Sequence, residues 1–258
     1  MALLSIDIKS RSFQSSTGEL SVLKDIHLEV EKGEFICIVG PSGCGKTTFL
    51  NIVSGLDHDY EGKIVYKGEF IRRADPKMML IFQDLGLFPW LSVSQNVEFG
   101  LKIKEIPKQE REKKVLEYLE MMQLLKFKDS FLHQLSGGMR QRVALARALV
   151  MEPEVLLMDE PFAALDAITR DILHEELQRI WSFTRKTVIF VTHNVREAVC
   201  LGDRVLVFSS NPASIKTQFT IDLARPRHIE NEGLIARVRP ILNELKEELE
   251  RMENVHRI

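Results

Sequence analysis

The chain has 258 residues, enough for one large domain or two small ones, and its hydrophobic fraction of 45% is that of an ordinary globular protein. Its 35 basic and 37 acidic residues give a formal net charge of −2, so nothing in the charge balance suggests bulk nucleic-acid binding. No apolar run approaches the roughly 18 residues of a membrane-spanning helix, and the first ten residues alternate like a strand, unlike a signal peptide. The spacing of Cys37, Cys44 and Cys200 does not fit metal ligands, which favours a reduced compartment.

Two stretches near the N-terminus alternate apolar and polar residues, as half-buried strands do. The alternation over 4–8 and again over 26–30 predicts two antiparallel strands joined by a polar turn at 15–18. Phe13 comes just before that turn. An exposed aromatic ring there could stack on a nucleobase, whereas an aromatic residue taken alone is more often part of the core, and both interpretations remain open.

The most specific pattern of the chain follows the apolar run 35–39, which is typical of a buried strand. The pattern is Gly40-Pro41-Ser42-Gly43-Cys44-Gly45-Lys46-Thr47, and a helical pattern starts at Thr48. This spacing of glycines, lysine and threonine between a strand and a helix predicts a phosphate-binding loop rather than an ordinary glycine-rich turn. Glycines allow the backbone to aim N–H groups inward, and the helix N-terminus favours an anion. Lys46 would supply a point charge for the terminal phosphates, and the Thr47 hydroxyl would supply a ligand for Mg²⁺.

Further along, 63–66 is predicted to form a short strand, and the apolar run 78–82 a buried strand of a parallel sheet. The second strand ends at Gln83. A glutamine at a strand end beside a phosphate-binding loop is placed to contact Mg²⁺ or water, although it would count for little by itself.

The loop after Gln83 contains three apolar side chains, Leu87, Phe88 and Trp90. They are either buried in the region that follows or exposed as a docking surface for a partner, and the sequence favours neither interpretation.

The segment from about 92 to 150 has helical periodicity and is predicted to be a helical subdomain inserted between strands of the sheet. It ends with a helix that starts at Ser136, a residue with N-cap chemistry, followed by Gly137 and Gly138. This is a second helix N-terminus suited to an anion. An ordinary capped helix explains the spacing equally well.

Two later strands are predicted to carry polar residues at their ends. The apolar strand from Val155 ends in Asp159 and Glu160, and beside a phosphate-binding loop these acids fit the Mg²⁺ shell and a base for water, respectively. A buried strand over 187–191 leads to His193, at the edge where open α/β sheets bind ligands. Acids at a strand end by chance, and a structural histidine, are the plainer alternatives.

The remaining elements are a helix over 167–183, two closing strands over 204–208 and 214–220, and a helical tail from 229. Pro240 is predicted to start the last helix. The apolar face of that helix packs either on the body of the protein or on a partner, and comprises Ile241, Leu242, Leu245, Leu249 and Met252.

Taken together, these stretches resemble the nucleotide-binding subunit of an ATP-binding cassette (ABC) transporter over nearly the whole chain. The segment 40–47 matches the Walker A motif, LLMDE at 156–160 the Walker B motif, and LSGGM at 135–139 the family signature. Single-residue matches are Gln83 to the Q-loop, Asp166 to the D-loop, His193 to the switch histidine and Phe13 to the A-loop aromatic. Met139 replaces the usual glutamine of the signature, and Phe13 replaces the commoner tyrosine. Neither change removes a phosphate contact.

The resemblance implies an α/β fold with a P-loop NTPase core, an antiparallel β edge and an inserted helical subdomain. The core would comprise 1–85 and 151–225, the helical signature subdomain 86–150, and a C-terminal helical tail 226–258, all in one ABC ATPase domain.

It also implies the cofactors, ATP and Mg²⁺, and the residues that hold them. ATP would be bound by Phe13, Gly40, Pro41, Ser42, Gly43, Cys44, Gly45, Lys46, Thr47 and Thr48, and by Ser136, Gly137, Gly138 and Asp166 of a second chain in a head-to-tail homodimer. Thr47, Gln83 and Asp159 would organise Mg²⁺, and Glu160, His193 and Gln83 would act in hydrolysis.

Within the family, the chain looks most like subunits of nitrate, sulfonate and taurine importers. The stretches that carry this resemblance are FQDLGLFPW, LSGGMRQR and ARPR. The expected partners are transmembrane permease subunits and a periplasmic or surface substrate-binding protein, with no nucleic acid, at the cytoplasmic face of the membrane. The alternatives are an exporter subunit and a soluble cassette ATPase of translation or DNA repair. The second is disfavoured because the chain has one cassette and no long coiled-coil insertion.

Overall fold

The computed structural model describes residues 2–15, 18–210 and 212–255. Its first sheet has the strand order β2-β1-β4-β5 and is antiparallel. The strands are β1 (Leu4–Ser15), β2 (Gly18–Val30), β4 (Glu61–Tyr66) and β5 (Glu69–Phe70). β1 pairs with β2 from Leu4 opposite Val30, which confirms the predicted N-terminal strand pair. The turn predicted at 15–18 includes residues 16 and 17, which lie outside the described residues.

The second sheet has the strand order β10-β9-β3-β8-β7-β6. The strands are β3 (Phe35–Val39), β6 (Met78–Ile81), β7 (Val155–Asp159), β8 (Thr187–Val191), β9 (Arg204–Phe208) and β10 (Ile215–Thr220). All neighbours run parallel except β10, which is antiparallel to β9. Every residue of β3, β7 and β8 is buried, as expected for a parallel sheet covered on both faces.

Alternate side chains of the central strands enter two separate apolar cores. From β3, Phe35, Cys37 and Val39 join a core that also takes in the larger helices. Ile36 and Ile38 face the first sheet and the helix α1 (Lys46–Val53). Because parallel strands end at a common edge, this arrangement brings the ends of β3, β7 and β8 together beside the start of α1.

The predicted helical segment contains α2 (Val93–Ile103), α3 (Lys108–Met121) and α4 (Gly137–Leu149), with two short 3₁₀ turns at Leu125–Phe127 and Leu132–Gln134. The first of these helices starts with a capping box between Ser92 and Gln95. Its inward residues Val93, Val97 and Leu101 are buried, as their spacing predicts.

The C-terminal third adds α5 (Ala167–Thr184), α6 (Val195–Leu201) and α7 (Glu232–Val255). Pro240 was predicted to start the last helix, but this prediction is wrong: the residue lies inside the helix. A proline interrupts one hydrogen bond of a helix, and here the burial of Val238 and Ile241 on either side holds the helix together.

The apolar face predicted for this helix is divided. Ile241 is buried and Leu245 packs against the large core, whereas Leu242 and Leu249 are exposed at 37% and 44%. None of the helices in the described ranges is long and apolar enough to cross a membrane. The division of the chain into core, signature subdomain and tail remains a prediction.

Candidate nucleotide-binding site

The segment between β3 and α1 forms a tight loop that requires glycine. Gly43 and Gly45 have φ angles of +75° and +109°, values that side-chain-bearing residues rarely adopt. A Cβ atom on Gly45 would lie 2.8 Å from side-chain atoms of both Val22 and Leu23. A substitution at Gly45 would therefore force the loop away from β2 as well as strain its backbone.

The N-terminus of α1 carries a lysine that is held by the loop itself. The Lys46 ammonium donates hydrogen bonds to the carbonyl oxygens of Gly40, at 2.9 Å, and Pro41, at 2.8 Å, and the residue is only 6% exposed. Gly45, the N-cap, offers no side-chain acceptor, so the first N–H groups of the helix are free to bind an anion. The loop thus presents one positive charge and several amide donors toward the same space.

Asp159, the last residue of β7, faces this loop from the sheet. It is 5% exposed, and the Thr47 side chain lies beside its carboxylate. Burial raises the pKa of Asp159 and nearby Glu160 adds to the rise, while the Thr47 side chain and the charge of Lys46 oppose it. A hydroxyl and a carboxylate beside each other suit Mg²⁺, which takes oxygen ligands and also keeps waters and phosphate oxygens. No cluster of three metal-binding side chains of the His, Cys, Asp and Glu types occurs within the described ranges.

Glu160 and His193 form a pair at the ends of neighbouring strands. Their facing atoms, Glu160 Oε2 and His193 Nδ1, lie 2.8 Å apart, and the side chains are 19% and 56% exposed. Glu160 has a φ of +43°, unusual for a residue with a side chain, and its N–H bonds the Val191 carbonyl at 3.0 Å. Strained backbone of this kind is common at functional sites. The pair can hold a water molecule and move a proton.

β6 ends at Ile81, one residue before the end of the predicted strand at 82. Gln83 lies two residues beyond the end of β6 and is exposed. The loop after it is fixed by a residue that the sequence analysis missed. Arg147, near the end of α4, donates hydrogen bonds to the carbonyl oxygens of Leu85, at 2.6 Å, and Gly86, at 2.7 Å. Burial lowers the pKa of Arg147, and Asp84 opposes the change. An arginine in an otherwise Ala/Leu-rich helical stretch was the available signal.

The loop's apolar residues have different environments. Trp90 is 70% exposed, so the burial interpretation is wrong for this residue, while Leu87 packs against the large core. The ring of Phe88 lies between those of Trp90 and Phe99, with centroids at 5.5 Å and 4.5 Å, respectively. The result is an exposed aromatic surface, defined by Phe88, Trp90 and Phe99.

Phe13 lies near the end of β1 and is 41% exposed, so it is not a core residue. The guanidinium of Arg11 stacks on its ring, with 4.0 Å between Arg11 Cζ and the ring centroid. Arg11 is itself fixed by ion pairs with Asp57, at 3.0 Å, and Asp59, at 2.7 Å. One face of the ring is therefore occupied, and a flat ligand would use the other.

The second predicted anion site, at the start of α4, has its own neighbours. The Ser136 hydroxyl caps the helix by accepting the Met139 N–H at 3.3 Å. A Cβ on Gly138 would lie 2.7 Å from Thr169, in the first turn of α5. Asp166 caps α5 by accepting the Thr169 N–H at 3.0 Å and its hydroxyl at 2.7 Å.

The structure thus gathers the predicted residues into two groups. Lys46, Thr47, Asp159, Glu160 and His193 converge at the sheet edge. Ser136, Gly137, Gly138 and Asp166 meet where α4 and α5 begin. Among the residues that the structure describes, neither hydrogen bonds nor ion pairs connect the second group, or Phe13, to the first.

Comparison with known proteins agrees with this geometry. Residues 23–163 match the ABC transporter family. The chain is 46% identical to an uncharacterised ABC transporter ATP-binding protein of Methanocaldococcus jannaschii, over 95% of this chain and 92% of the relative. It is 45% identical to the aliphatic sulfonates import ATP-binding protein of Bacillus thuringiensis, over 87% and 88%. It is also 43% identical to the nitrate import ATP-binding protein of Synechocystis, over 85% and 83%.

A solved dimeric ATP-binding cassette, in a post-hydrolysis state with bound ADP and phosphate, is similar in structure. The TM-score is 0.75 at 31% sequence identity, and the match covers 86% of this chain and all of that one. With the phosphate-binding loop, the two strand-end acids and the signature helix all present, the chain belongs to the ABC transporter family, as an ATP-binding subunit that hydrolyses ATP.

Proposed function

We propose that this chain energises the import of a small oxyanion, such as a sulfonate or nitrate, by hydrolysing ATP in a dimer that docks on membrane subunits. The single observation that carries the enzymatic part is the Glu160–His193 pair, at 2.8 Å, next to the phosphate-binding loop. The functions named for two relatives, sulfonate import and nitrate import, support the choice of transported molecule.

In this proposal, the phosphates of ATP lie on the loop from Gly40 to Thr48. Lys46 exchanges its bonds to two loop carbonyls for bonds to the terminal phosphates, which are stronger acceptors because they are charged. Thr47, Asp159 and Gln83 would hold Mg²⁺, which would offset phosphate charge and orient the terminal group. The Asp159 side chain is buried beside Thr47, which places the two oxygen ligands close together.

Glu160 would act as the general base for the attacking water. Its carboxylate is partly exposed and is oriented by His193, so it can accept a proton from a water in line with the terminal phosphate. His193 and Gln83 would sense that phosphate, because both side chains are exposed at ends of strands beside the loop.

The nucleotide would be shared between two chains arranged head to tail. Ser136, Gly137 and Gly138 of one chain would contact the phosphates bound to the other, and Asp166 would lie beside them. The capped and glycine-rich start of α4 supports this role, because the N-terminus of a helix favours an anion. The free face of Phe13 would stack on the adenine.

The exposed aromatic surface of Phe88, Trp90 and Phe99 would receive a segment of the transmembrane permease subunit. An apolar surface next to Gln83 is suited to transmit the state of the nucleotide to a partner. The subunit would then lie peripherally at the cytoplasmic face of the membrane, and a periplasmic or surface binding protein would deliver the oxyanion.

A transport assay with oriented vesicles tests this proposal. The chain is assembled with membrane subunits encoded by neighbouring genes, in vesicles whose cassettes face outward, with the binding protein and a labelled sulfonate or nitrate inside. External ATP should release the label from the lumen, and an assembly with Glu160→Gln should not. ATP-driven accumulation of label inside would identify an exporter, and co-purification with ribosomes or DNA instead of membrane subunits would overturn the proposal.

A further inference from the structure

A buried polar trio, formed by His174, Glu197 and Thr192, lies next to the Glu160–His193 pair and has no part in the proposed chemistry. The three residues are 2%, 4% and 2% exposed. His174 Nε2 lies 2.6 Å from Glu197 Oε1, and the Thr192 hydroxyl donates to the other oxygen of the same carboxylate. The trio joins three elements, because His174 belongs to α5, Glu197 to α6 and Thr192 follows β8.

Burial of this polar trio carries a desolvation penalty that apolar core residues do not have. Its neighbours on the same side of α5, Leu173 and Leu177, are ordinary buried residues. Apolar residues at both 174 and 197 would fill the space without the penalty of desolvating a histidine and a carboxylate. The arrangement therefore favours a role that depends on orientation rather than on burial alone.

One arm of the trio fixes the segment that carries His193. The Thr192 hydroxyl, which donates to Glu197, also accepts the N–H of Asn194 at 3.0 Å. The Asn194 side chain in turn caps α6, the helix that carries Glu197. Both sequence neighbours of His193 are thus tied to the same carboxylate and helix.

The other arm reaches the segment that carries Glu160. The ring of His174 meets the ring of Phe162 edge-on, with centroids 5.5 Å apart and an interplanar angle of 67°. Phe162 is 1% exposed and anchors the turn after Glu160, which the Ala163 N–H closes by bonding the Glu160 carbonyl at 3.1 Å. His174 therefore contacts Glu197, which is tied to the segment of His193, and Phe162, which lies in the turn after Glu160.

From this geometry we infer that His174 is a positioning residue for ATP hydrolysis. Through Glu197 and Thr192 it sets the His193 imidazole, and through Phe162 it sets the Glu160 carboxylate, so that the two keep their 2.8 Å contact. The inference rests on the proposed roles of Glu160 and His193. The inference adds a residue that supports both Glu160 and His193 and that belongs to none of the sequence motifs.

The test compares steady-state ATPase kinetics of full-length variants. His174→Leu removes the bond to Glu197, and Thr192→Val removes the hydroxyl with little change of shape. Each should lower kcat on the order of tenfold to a hundredfold, because misplacing a reacting group by about 1 Å has that effect. KM for ATP should stay within about threefold, since the phosphate-binding loop is untouched. His174→Gln, whose amide can donate to Glu197, should restore most of the lost kcat.

Gln178 provides a matched control one turn further along α5. It is 3% exposed, its amide donates to the Arg227 carbonyl at 2.9 Å, and its amide oxygen accepts the Arg227 N–H at 2.8 Å. Its amide also lies 3.6 Å from Cys200 Sγ in α6, but Gln178→Leu removes no hydrogen bond of Thr192, His174 or Glu197. It should lower Tm while leaving kcat within about twofold of wild type, because it perturbs stability alone.

The outcomes separate the inference from the proposed function. If Glu160→Gln keeps wild-type turnover, the proposed role of Glu160 fails. If Glu160→Gln loses turnover but His174→Leu and Thr192→Val keep it, only the inference fails, and it also fails if Gln178→Leu loses as much kcat as they do. Should His174→Leu fail to fold, the kcat of Thr192→Val alone decides. A double variant whose loss equals that of the worse single variant would confirm that the two residues act through one path.

Discussion

Two helices of this chain start with glycine-rich turns suited to an anion, and their surroundings differ. The start of α1 has a buried lysine, the Thr47 side chain beside Asp159, and the Glu160–His193 pair nearby. The start of α4 is capped by Ser136, and its neighbours are residues at the start of α5. Both offer amides and a helix dipole to a phosphate, but only the first has acids for a metal ion and a water.

The difference shows that a helix N-terminus alone does not make a catalytic site. In the proposed function the first would be a half-site for hydrolysis, because Lys46, Asp159 and His193 follow or end three adjacent strands of the sheet. The second would supply binding only, to a phosphate held by a partner chain. A shared site, in which the second completes the first across a dimer, uses both features.

The largest effect should come from removing the base at the first site. Glu160→Gln keeps the size of the side chain but cannot accept a proton, so kcat should fall at least ~10²-fold, the scale of general-base help. ATP binding should persist, because the loop and Lys46 are intact. Single-turnover hydrolysis and nucleotide binding are measured together, and gel filtration should show an ATP-bound dimer. Turnover close to wild type would remove Glu160 from this role.

Mixing two inactive chains sharpens the comparison between the two helix starts. Lys46→Ala damages the first and Ser136→Arg the second, so each homodimer should be inactive. In a head-to-tail heterodimer one site carries both defects and the other none, and ATP hydrolysis should return, up to about half of the wild-type rate if the sites are independent.

Heterodimer formation and ATP occupancy are measured beside turnover, with differently tagged chains. A confirmed heterodimer that stays inactive, and whose single ATP does not contact the partner chain at Ser136, would contradict the shared site.

A change in the exposed aromatic surface should act on assembly and not on the nucleotide. Trp90 is 70% exposed, so Trp90→Ala should leave folding and basal ATPase nearly unchanged. Its affinity for the membrane subunits should fall by about tenfold or more, since a buried aromatic anchor of an interface contributes about 2 kcal/mol. Co-purification in detergent measures the loss.

Phe183 is also exposed, at 76% near the end of α5, and Phe183→Ala serves as the matched control. Wild-type assembly of the Trp90 variant, or equal losses in both variants, would exclude this residue from the docking surface.

The smallest effect should be at Phe13. Losing a stack on the adenine should raise KM for ATP by several-fold, because base–aromatic stacking contributes about 1–3 kcal/mol and Arg11 would still face the base. Phe13→Ala is compared with Phe13→Tyr, which keeps the ring, and kcat should be similar in both. An unchanged KM for ATP in Phe13→Ala, with an unchanged preference for ATP over GTP, would mean that the ring does not contact the base.

Local patterns predicted most of the fold, because they reflect the period of each element. The burial of 35–39, 155–159 and 187–191 follows from uninterrupted apolar runs, and the helix start at Ser136 follows from a capping residue. Pro240 was misplaced because a local rule puts proline at helix starts, whereas here tertiary burial on both sides keeps the helix continuous.

The candidate site was predicted where its residues lie in motifs and missed where they act through contacts. Glu160 and His193 were each expected at a strand end, but their 2.8 Å contact depends on the pairing of β7 with β8. His174 and Arg147 have no motif of their own. Their partners lie 23 residues away for His174 and about 60 for Arg147, so only the folded chain shows what they bind.

The hydrogen bonds of Arg147 join the signature helix, α4, to the loop that follows Gln83. Ser136 caps one end of α4, and Arg147, near the other end, holds the carbonyls of Leu85 and Gly86 beside the exposed aromatic surface. The helix has 13 residues, which at 1.5 Å per residue makes it about 20 Å long. A shift of its first turn, on binding or release of an ATP phosphate, would move the whole helix and with it the loop after Gln83. In the proposed dimer, α4 would connect the nucleotide bound by one subunit to the loop that contacts the membrane partner.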